Sequence, residues 1–278
     1  MSTTLANKID FEAIISVTNA NPNGDPLGGN RPRTNYDGFG EISDVCIKRK
    51  IRNRMQDSGH AIFVYDDGKN SLKDRAKSIG LEKITDAKEY HDIACDTWLD
   101  VRTFGQVFAF GSFACKSVGV RGPVSIHLAK SADPVDIQSM QITKSVSGDK
   151  EDGKERGSDT MGMKHFVRFG LYIIKGSINV QLAEKTGFTE EDAETLKECL
   201  RTLFVNDSSA ARPDGSMEVV KLYWWKHNCK DGQYPSAKVH RLVNVSLNEG
   251  IAEPTSADDY VIKLDSLDGL ACEEIDGI

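Results

Sequence analysis

The sequence predicts an α+β chain in which two amphipathic helices pack on an antiparallel sheet, in the order strand, helix, strand, strand, helix, strand. Three observations point there: apolar runs with a period of two, two capped segments with apolar residues three and four apart, and glycine- and proline-rich breaks between them. The 278 residues allow one large domain or two small ones, and 39% hydrophobic with 28% charged residues is an ordinary globular composition. Collagen, coiled coil and wholesale disorder are excluded.

Phe11, Ala13, Ile15 and Val17 alternate with Glu12, Ile14, Ser16 and Thr18, which predicts a first strand with one face on a core. It runs into a polar loop, residues 19–33, whose three prolines, three glycines and four asparagines exclude regular structure. Ser43 or Asp44 then caps a helix through Asp57, with Ile47, Ile51 and Met55 on its inner face. Residues 58–121 form an insertion with a short strand around Ala61–Tyr65, a helix from Ser71 to Lys77, and a helical or irregular stretch that ends in the segment Trp98 to Gln106.

Val124, Ile126 and Leu128 mark the second strand. A second insertion, residues 130–163, carries a run from Val135 to Ser145 and then a mobile tip, Gly148 to Asp159, without a single apolar side chain. Lys164 to Leu182 reads as a long strand whose apolar phase changes by one residue after Lys175-Gly176, the mark of a bulge or bend. Thr189 caps a helix from Glu190 to Phe204 with Ala193, Leu196, Leu200 and Leu203 inward. Strands follow at Met217–Lys226, Leu242–Leu247 and Tyr260–Leu264. The order is that of a ferredoxin-like βαββαβ domain, residues 1–278, with helices on one face of the sheet and the other face open.

The longest largely apolar stretch, Val107 to Cys115, is interrupted by Gly111 and Ser112 and falls short of the roughly 18 residues of a membrane span. Nothing at the N-terminus marks export, so the expected location is the cytoplasm, with no membrane partner. Six cysteines lack any pair two residues apart and are expected as reduced core thiols. The net charge of −7 is unevenly spread: residues 249–278 hold nine acids against one lysine, net −8, which leaves about +1 for residues 1–248. Between Arg31 and Arg54 seven basic residues face three acids, net +4. A basic region near the start and an acidic tail are the result.

Four segments carry a resemblance: Asn19-Ala20-Asn21-Pro22-Asn23-Gly24-Asp25-Pro26 followed by Asn30-Arg31-Pro32-Arg33; Ser43 to Arg52; Asp100-Val101-Arg102-Thr103-Phe104-Gly105-Gln106; and Met161 to Tyr172. Together they resemble the Cas seven family, the backbone subunit of the type I-C CRISPR Cascade complex. The resemblance implies a modified RNA-recognition fold with a helical insertion and a protruding thumb. It implies a subunit that polymerises head to tail along a guide crRNA, displaces one base at intervals and leaves the rest to pair with a target DNA strand. The implied partners are crRNA, target DNA, further copies of the chain and other Cascade subunits of the Cas five, Cas eight and small-subunit types; no cofactor is implied.

Coating an arbitrary guide requires cations for phosphates rather than contacts to base edges. Lys48, Arg49 and Arg52 lie within two helical turns and are expected as phosphate contacts. The resemblance places Asn23, Arg31 and Arg33 at the RNA, and small loop residues let backbone amides approach phosphate. Lys144, Met163, Lys164 and His165 flank the polar tip, where an apolar side chain wedges between bases and lysines hold the backbone. Arg102 and Gln106 match a segment near the RNA groove. The first strand carries no aromatic on the face opposite Phe11, so a backbone-tracking groove is expected rather than a stacking sheet.

Two other functions compete with this one. Relatives in type III complexes cut RNA with an aspartate after the first strand, but here Asp25 sits between Gly24 and Pro26 in a turn context, and no catalytic or metal-ligating residue is expected. A protein-only assembly module, its basic helix meeting the acidic tail of a neighbour, is the other.

Overall fold

The computed structural model describes residues 3–143 and 161–278. The first strand, β1 (Ile9–Ala20), leads through two short strands, β2 (Gly24–Asp25) and β3 (Arg31–Pro32), and then β4 (Phe39–Ile42) into helix α1 (Asp44–Asp57). Three helices follow, α2 (Leu72–Ser78), α3 (Ala87–Thr97) and α4 (Leu99–Phe104), with the hairpin β5 (Gly105–Ala109) and β6 (Ser117–Arg121). The chain continues through β7 (Val124–Ile126), β8 (Ala129–Pro134), β9 (Ile137–Thr143) and the long β10 (Met161–Ile178). Helices α5 (Val180–Thr186) and α6 (Glu190–Arg201) precede β11 (Met217–Lys226), α7 (Ser236–Val239), β12 (Val243–Leu247), β13 (Tyr260–Leu264) and β14 (Glu273–Asp276).

One large antiparallel sheet organises the molecule, in the order β14, β11, β1, β10, β8, β4. β10 pairs with β1 in a single register from Val167 opposite Ala20 to Ile178 opposite Ile9, interrupted only at Asn19 and its left-handed φ of 51°. Its other edge takes β9 at residues 161–167, β8 at Tyr172 and Ile173, and β7 at residues 176–178. The mixed α/β character and the antiparallel sheet are those the apolar patterns predict.

On one face Phe11, Ala13, Ile15 and Val17 of β1 meet Ile47, Ile51 and Met55 of α1 and Ala193, Leu196 and Leu200 of α6. Each such side chain removed from water contributes roughly 1.5–3 kcal/mol. Both helices start as their caps dictate: Ser43 accepts the Cys46 N–H, and Thr189 and Asp192 form a reciprocal capping box.

The opposite face is not open. Ile14, Phe169, Leu171, Tyr223 and Trp225 are covered by Val239, Leu242, Val243, Tyr260 and Leu270 of the C-terminal segment. Consecutive apolar residues such as Leu171–Ile174 and Leu222–Trp225 serve both faces, as expected of strands buried on two sides. The same double burial explains the apparent phase change in β10: no bulge occurs at Gly176, Ile178 keeps the register opposite Ile9, and Val180 and Leu182 belong to α5, capped by Asn179 through the Leu182 N–H. The acidic tail is likewise part of the fold, with β14 paired to β11, Asp276 on Lys221 at 2.8 Å and Glu273 on Lys197 at 2.9 Å.

Between α1 and β7 a second hydrophobic cluster gathers Phe63, Tyr90, Trp98, Phe108, Val118 and Val120. The expected strand at Ala61–Tyr65 is absent, because the buried Asp100 carboxylate takes the N–H groups of Phe63 (2.7 Å) and Val64 (3.1 Å) that a ladder would use. Among the described residues no helix is long and apolar enough to cross a membrane. Lys144 and the tip at residues 148–159 lie outside the described residues.

Candidate nucleic-acid interface

The asparagine-rich loop after β1 is more ordered than its composition suggests. Asp25 accepts the Leu27 N–H and opens a single 3-10 turn with Pro26 at its start, and β2 and β3 pair across it. Gly29 and Asn30 take left-handed backbone angles, φ 67° and 60°, which glycine and asparagine adopt at little cost. Asn23 holds the loop to α1: its Oδ1 accepts the Ser43 N–H at 2.9 Å. Asn21 holds the loop to itself, its Nδ2 donating to the Asn30 carbonyl at 2.7 Å.

Arg31 is exposed and forms no ion pair among the described residues. Arg33 reaches Asp25 at 3.3 Å, both side chains more than a third exposed, a geometry of small net worth. Its Nε is buried without a hydrogen-bond partner. Asp25 is thus occupied as a turn cap and as the partner of Arg33. No group of three or more His, Cys, Asp or Glu side chains is placed to hold a metal ion among the described residues.

The first half of β10 packs beside this loop, some 140 residues away in sequence. A cleft of about 210 Å³ runs between them, lined by Asn21, Asn30, Ile142, Met163, Lys164 and Ala211 among others. Met163 is 56% exposed, and Met140, Ile142 and Met161 on the paired strands are comparably bare. His165 is buried, its Nδ1 2.8 Å from the Ser139 hydroxyl. Of the expected RNA contacts, Met163, Lys164 and His165 line this cleft, and Arg31 lies on β3, which packs on β10. Sequence reasoning missed Met140, Ile142 and Met161; apolar residues on both faces of strands bordering a wholly polar segment were the available signal. It also missed Tyr36, fully exposed on a turn that Asn35 fixes by accepting the Asp37 and Phe39 N–H groups at 3.0 and 2.9 Å.

The cations of α1 do not line that cleft and are differently employed. Arg52 Nε donates to Asp100 at 2.8 Å, with side-chain exposures of 12% and 0%, and the guanidinium stacks over Phe104 at 5.0 Å. Lys48 reaches Asp44 one turn earlier at 2.9 Å. Arg49 is exposed and donates one N–H to the Val64 carbonyl at 2.7 Å. Arg102 grips Asp192 through two bonds of 2.8 Å and the Cys95 carbonyl through a third, pinning α4 to α6. Gln106 donates to the Val107 carbonyl at 3.0 Å. On the side of α1 toward the loop, Lys50 is buried against Asp207, which also binds Arg212 at 3.3 Å. Burial lowers the Lys50 ammonium from its ordinary value, an effect Asp207 opposes.

The family is shown by one match, which spans nearly the whole chain. The family model described as "CRISPR-associated protein Cas7" matches residues 7–265. A CRISPR-associated protein Cas7 from Haloferax volcanii is 28% identical over 223 residues, covering 72% of this chain and 65% of that protein, just under two thirds of its length. Among solved structures, a chain of a "CRISPR RNA-guided surveillance complex, pre-nicking" aligns with a TM-score of 0.46 at 16% identity over 78% of each chain. A chain of a second "CRISPR RNA-guided surveillance complex" aligns with a TM-score of 0.45 at 18% identity, covering 78% of this chain and 68% of that one.

Proposed function

The chain belongs to the Cas7 family, and from that premise we propose that it is the backbone subunit of a type I-C CRISPR surveillance complex, binding guide crRNA through its phosphates and presenting the bases to a target DNA strand. In this reading the β1, α1, β7, β10, α6 and β11 core is a modified RNA-recognition domain. Its copies line up head to tail, with the other Cascade subunits at the ends of the filament. One observation supports the reading most: β3, which bears Arg31, packs on β10, where Lys164 and the bare Met163 and Ile142 side chains border a single cleft. That combination suits a ribose-phosphate chain whose bases need apolar contact.

The geometry ranks the phosphate contacts. Arg31, Arg33 and Lys164 come first, Lys48 and Arg49 second, because a solvent-exposed pair or a single carbonyl bond is readily exchanged for phosphate. Arg52 and Arg102 act through the fold, as partners of Asp100 and Asp192. Tyr36 adds an aromatic ring on which a base can stack. A scaffold rather than a nuclease is favoured by the employment of Asp25 as cap and ion-pair partner. The test is whether the recombinant protein copurifies with RNA and loses it on neutralisation of Arg31 and Arg33. Assembly that proceeds equally well without RNA refutes the reading.

A further inference from the structure

On the helical insertion a trough of about 700 Å³ opens between α3, α5 and β6. One side of it is a strand edge. The Phe110 N–H reaches the Lys116 carbonyl at 3.2 Å, which extends the β5–β6 ladder and sets its phase: Phe108 and Val118 exchange hydrogen bonds, whereas Val107 and Gly119 do not. The Gly119 N–H and C=O therefore point away from β5 and have no protein partner among the described residues. A Cβ on Gly119 would meet no heavy atom within 4 Å, so the space over this strand is free. An edge in this state is a template for one further strand.

The walls define what that strand carries. Lys88 of α3 and Lys185 of α5 are exposed, and neither forms an ion pair among the described residues. The two acids beside them are occupied: Glu184 is bound by Lys230 at 2.6 Å, and Asp92 lies 3.0 Å from His91. Uncompensated positive charge thus flanks an unpaired strand edge. The chain's own β14 has the opposite character. It ends the strand order of the large sheet, so one of its edges is unpaired, and Glu273, Glu274 and Asp276 stand exposed along it without a single cation. Glu273 and Asp276 are engaged by Lys197 and Lys221, while Glu274 forms no ion pair among the described residues. Acids along an edge repel a second β14 and admit an edge flanked by lysines.

We propose that the β6 edge receives β14 of a second copy of the chain as an added strand, with Lys88 and Lys185 flanking its acids and Lys185 on Glu274. The proposal rests on the reading of the chain as a crRNA-bound backbone subunit and names the surface through which its copies meet. The two patches differ, so the contact is heterologous: each copy gives a β14 and accepts one at β6, and the series stays open unless its rotation closes a ring. Backbone hydrogen bonds supply the attachment, and the lysines supply the choice of partner and the register. No base or phosphate takes part, so the contact is the same for every guide.

The probes are two oligouridines, one of about 12 nucleotides, near the span of one subunit, and one of about 60. Affinities are measured on the full-length protein by filter binding, with circular dichroism reporting the fold. Wild type is expected to bind the longer RNA cooperatively, about tenfold more tightly per site than the shorter. Gly119→Pro removes the outward N–H but no β5–β6 bond, and is expected to abolish that gain while binding the short RNA as wild type does. Lys185→Glu and Glu274→Lys each lose the gain, and the chain carrying both regains it, because opposite charges face each other again. Recovery of this kind separates a direct contact from a loosened fold, and the charge variants decide should Gly119→Pro fail to fold. Unchanged cooperativity in folded variants, a loss that the paired reversal does not restore, or a wild type without cooperativity overturns the proposal while leaving RNA binding intact. Absence of binding to either RNA overturns the RNA reading and this proposal with it.

Discussion

Two basic regions of this molecule look alike in sequence and differ in structure. On the outer side of α1 the cations are met by carboxylates from elsewhere in the chain: Arg52 by Asp100, and the neighbouring Arg102 by Asp192. Beside the loop after β1, Arg31 has no ion pair among the described residues, Arg33 has only a half-exposed aspartate, and the Asn21 oxygen has nothing. A run of positive charge is therefore not yet a positive surface. What matters is whether the fold returns a carboxylate to each cation, and those partners lie 48 to 157 residues away.

The sharpest way to break the comparison is Arg52→Ala. It strands the fully buried Asp100, so a loss of about 3–5 kcal/mol in chemical denaturation is expected. An Arg52 variant that is stable yet deficient in RNA binding would make both regions binding surfaces. Glu12 sharpens the same point at nearly the same size. Its carboxylate is fully buried, neither oxygen has a hydrogen-bond partner, and Lys175 lies 3.6 Å away. Burial pushes Glu12 up to about 8, against the partial opposition of Lys175. The folded form thus binds the proton more tightly than the unfolded chain. Stability from this group is complete below about pH 4.5 and is lost progressively as pH rises through 8, in total by roughly 5 kcal/mol. Glu12→Gln, neutral at every pH, should flatten the fall in Tm between pH 5 and pH 9; an unchanged slope would show that Glu12 is already ionised with Lys175. The smallest stability effect belongs to Lys48→Gln with Arg49→Gln, about 0–1 kcal/mol by thermal melting, because both side chains contact solvent. A larger loss would place them with Arg52.

Local chemistry made much of the fold legible. The Ser43 and Thr189 caps, the inward stripes of α1 and α6, and the limits of β11 follow from short-range pattern and needed no tertiary information. Helix α3 escaped because its buried residues Tyr90, Ala94 and Cys95 are sparse among charges, although Asp86 caps it through the Glu89 N–H. The covering of the second sheet face escaped because Ile14 alone interrupts the polar positions of β1, while the cover comes from residues beyond 236. At the site, the loop and the start of β10 were visible as separate motifs. Their meeting at a cleft, and the pairing of Arg52 and Arg102, depend on contacts no local pattern encodes. The unsatisfied oxygen of Asn21 is a property of the folded arrangement alone.

The most direct measurement is the salt dependence of RNA affinity for two folded double variants, Arg31→Gln with Arg33→Gln and Lys48→Gln with Arg49→Gln. Each lost phosphate contact lowers the slope of log K against log salt by about 0.7 for a single strand. The loop pair is expected to lower it by about 1.4 and the helix pair by less than half of that. The reverse order, with RNA released by the helix pair and retained by the loop pair, would contradict the assignment of the RNA path to the loop and β10.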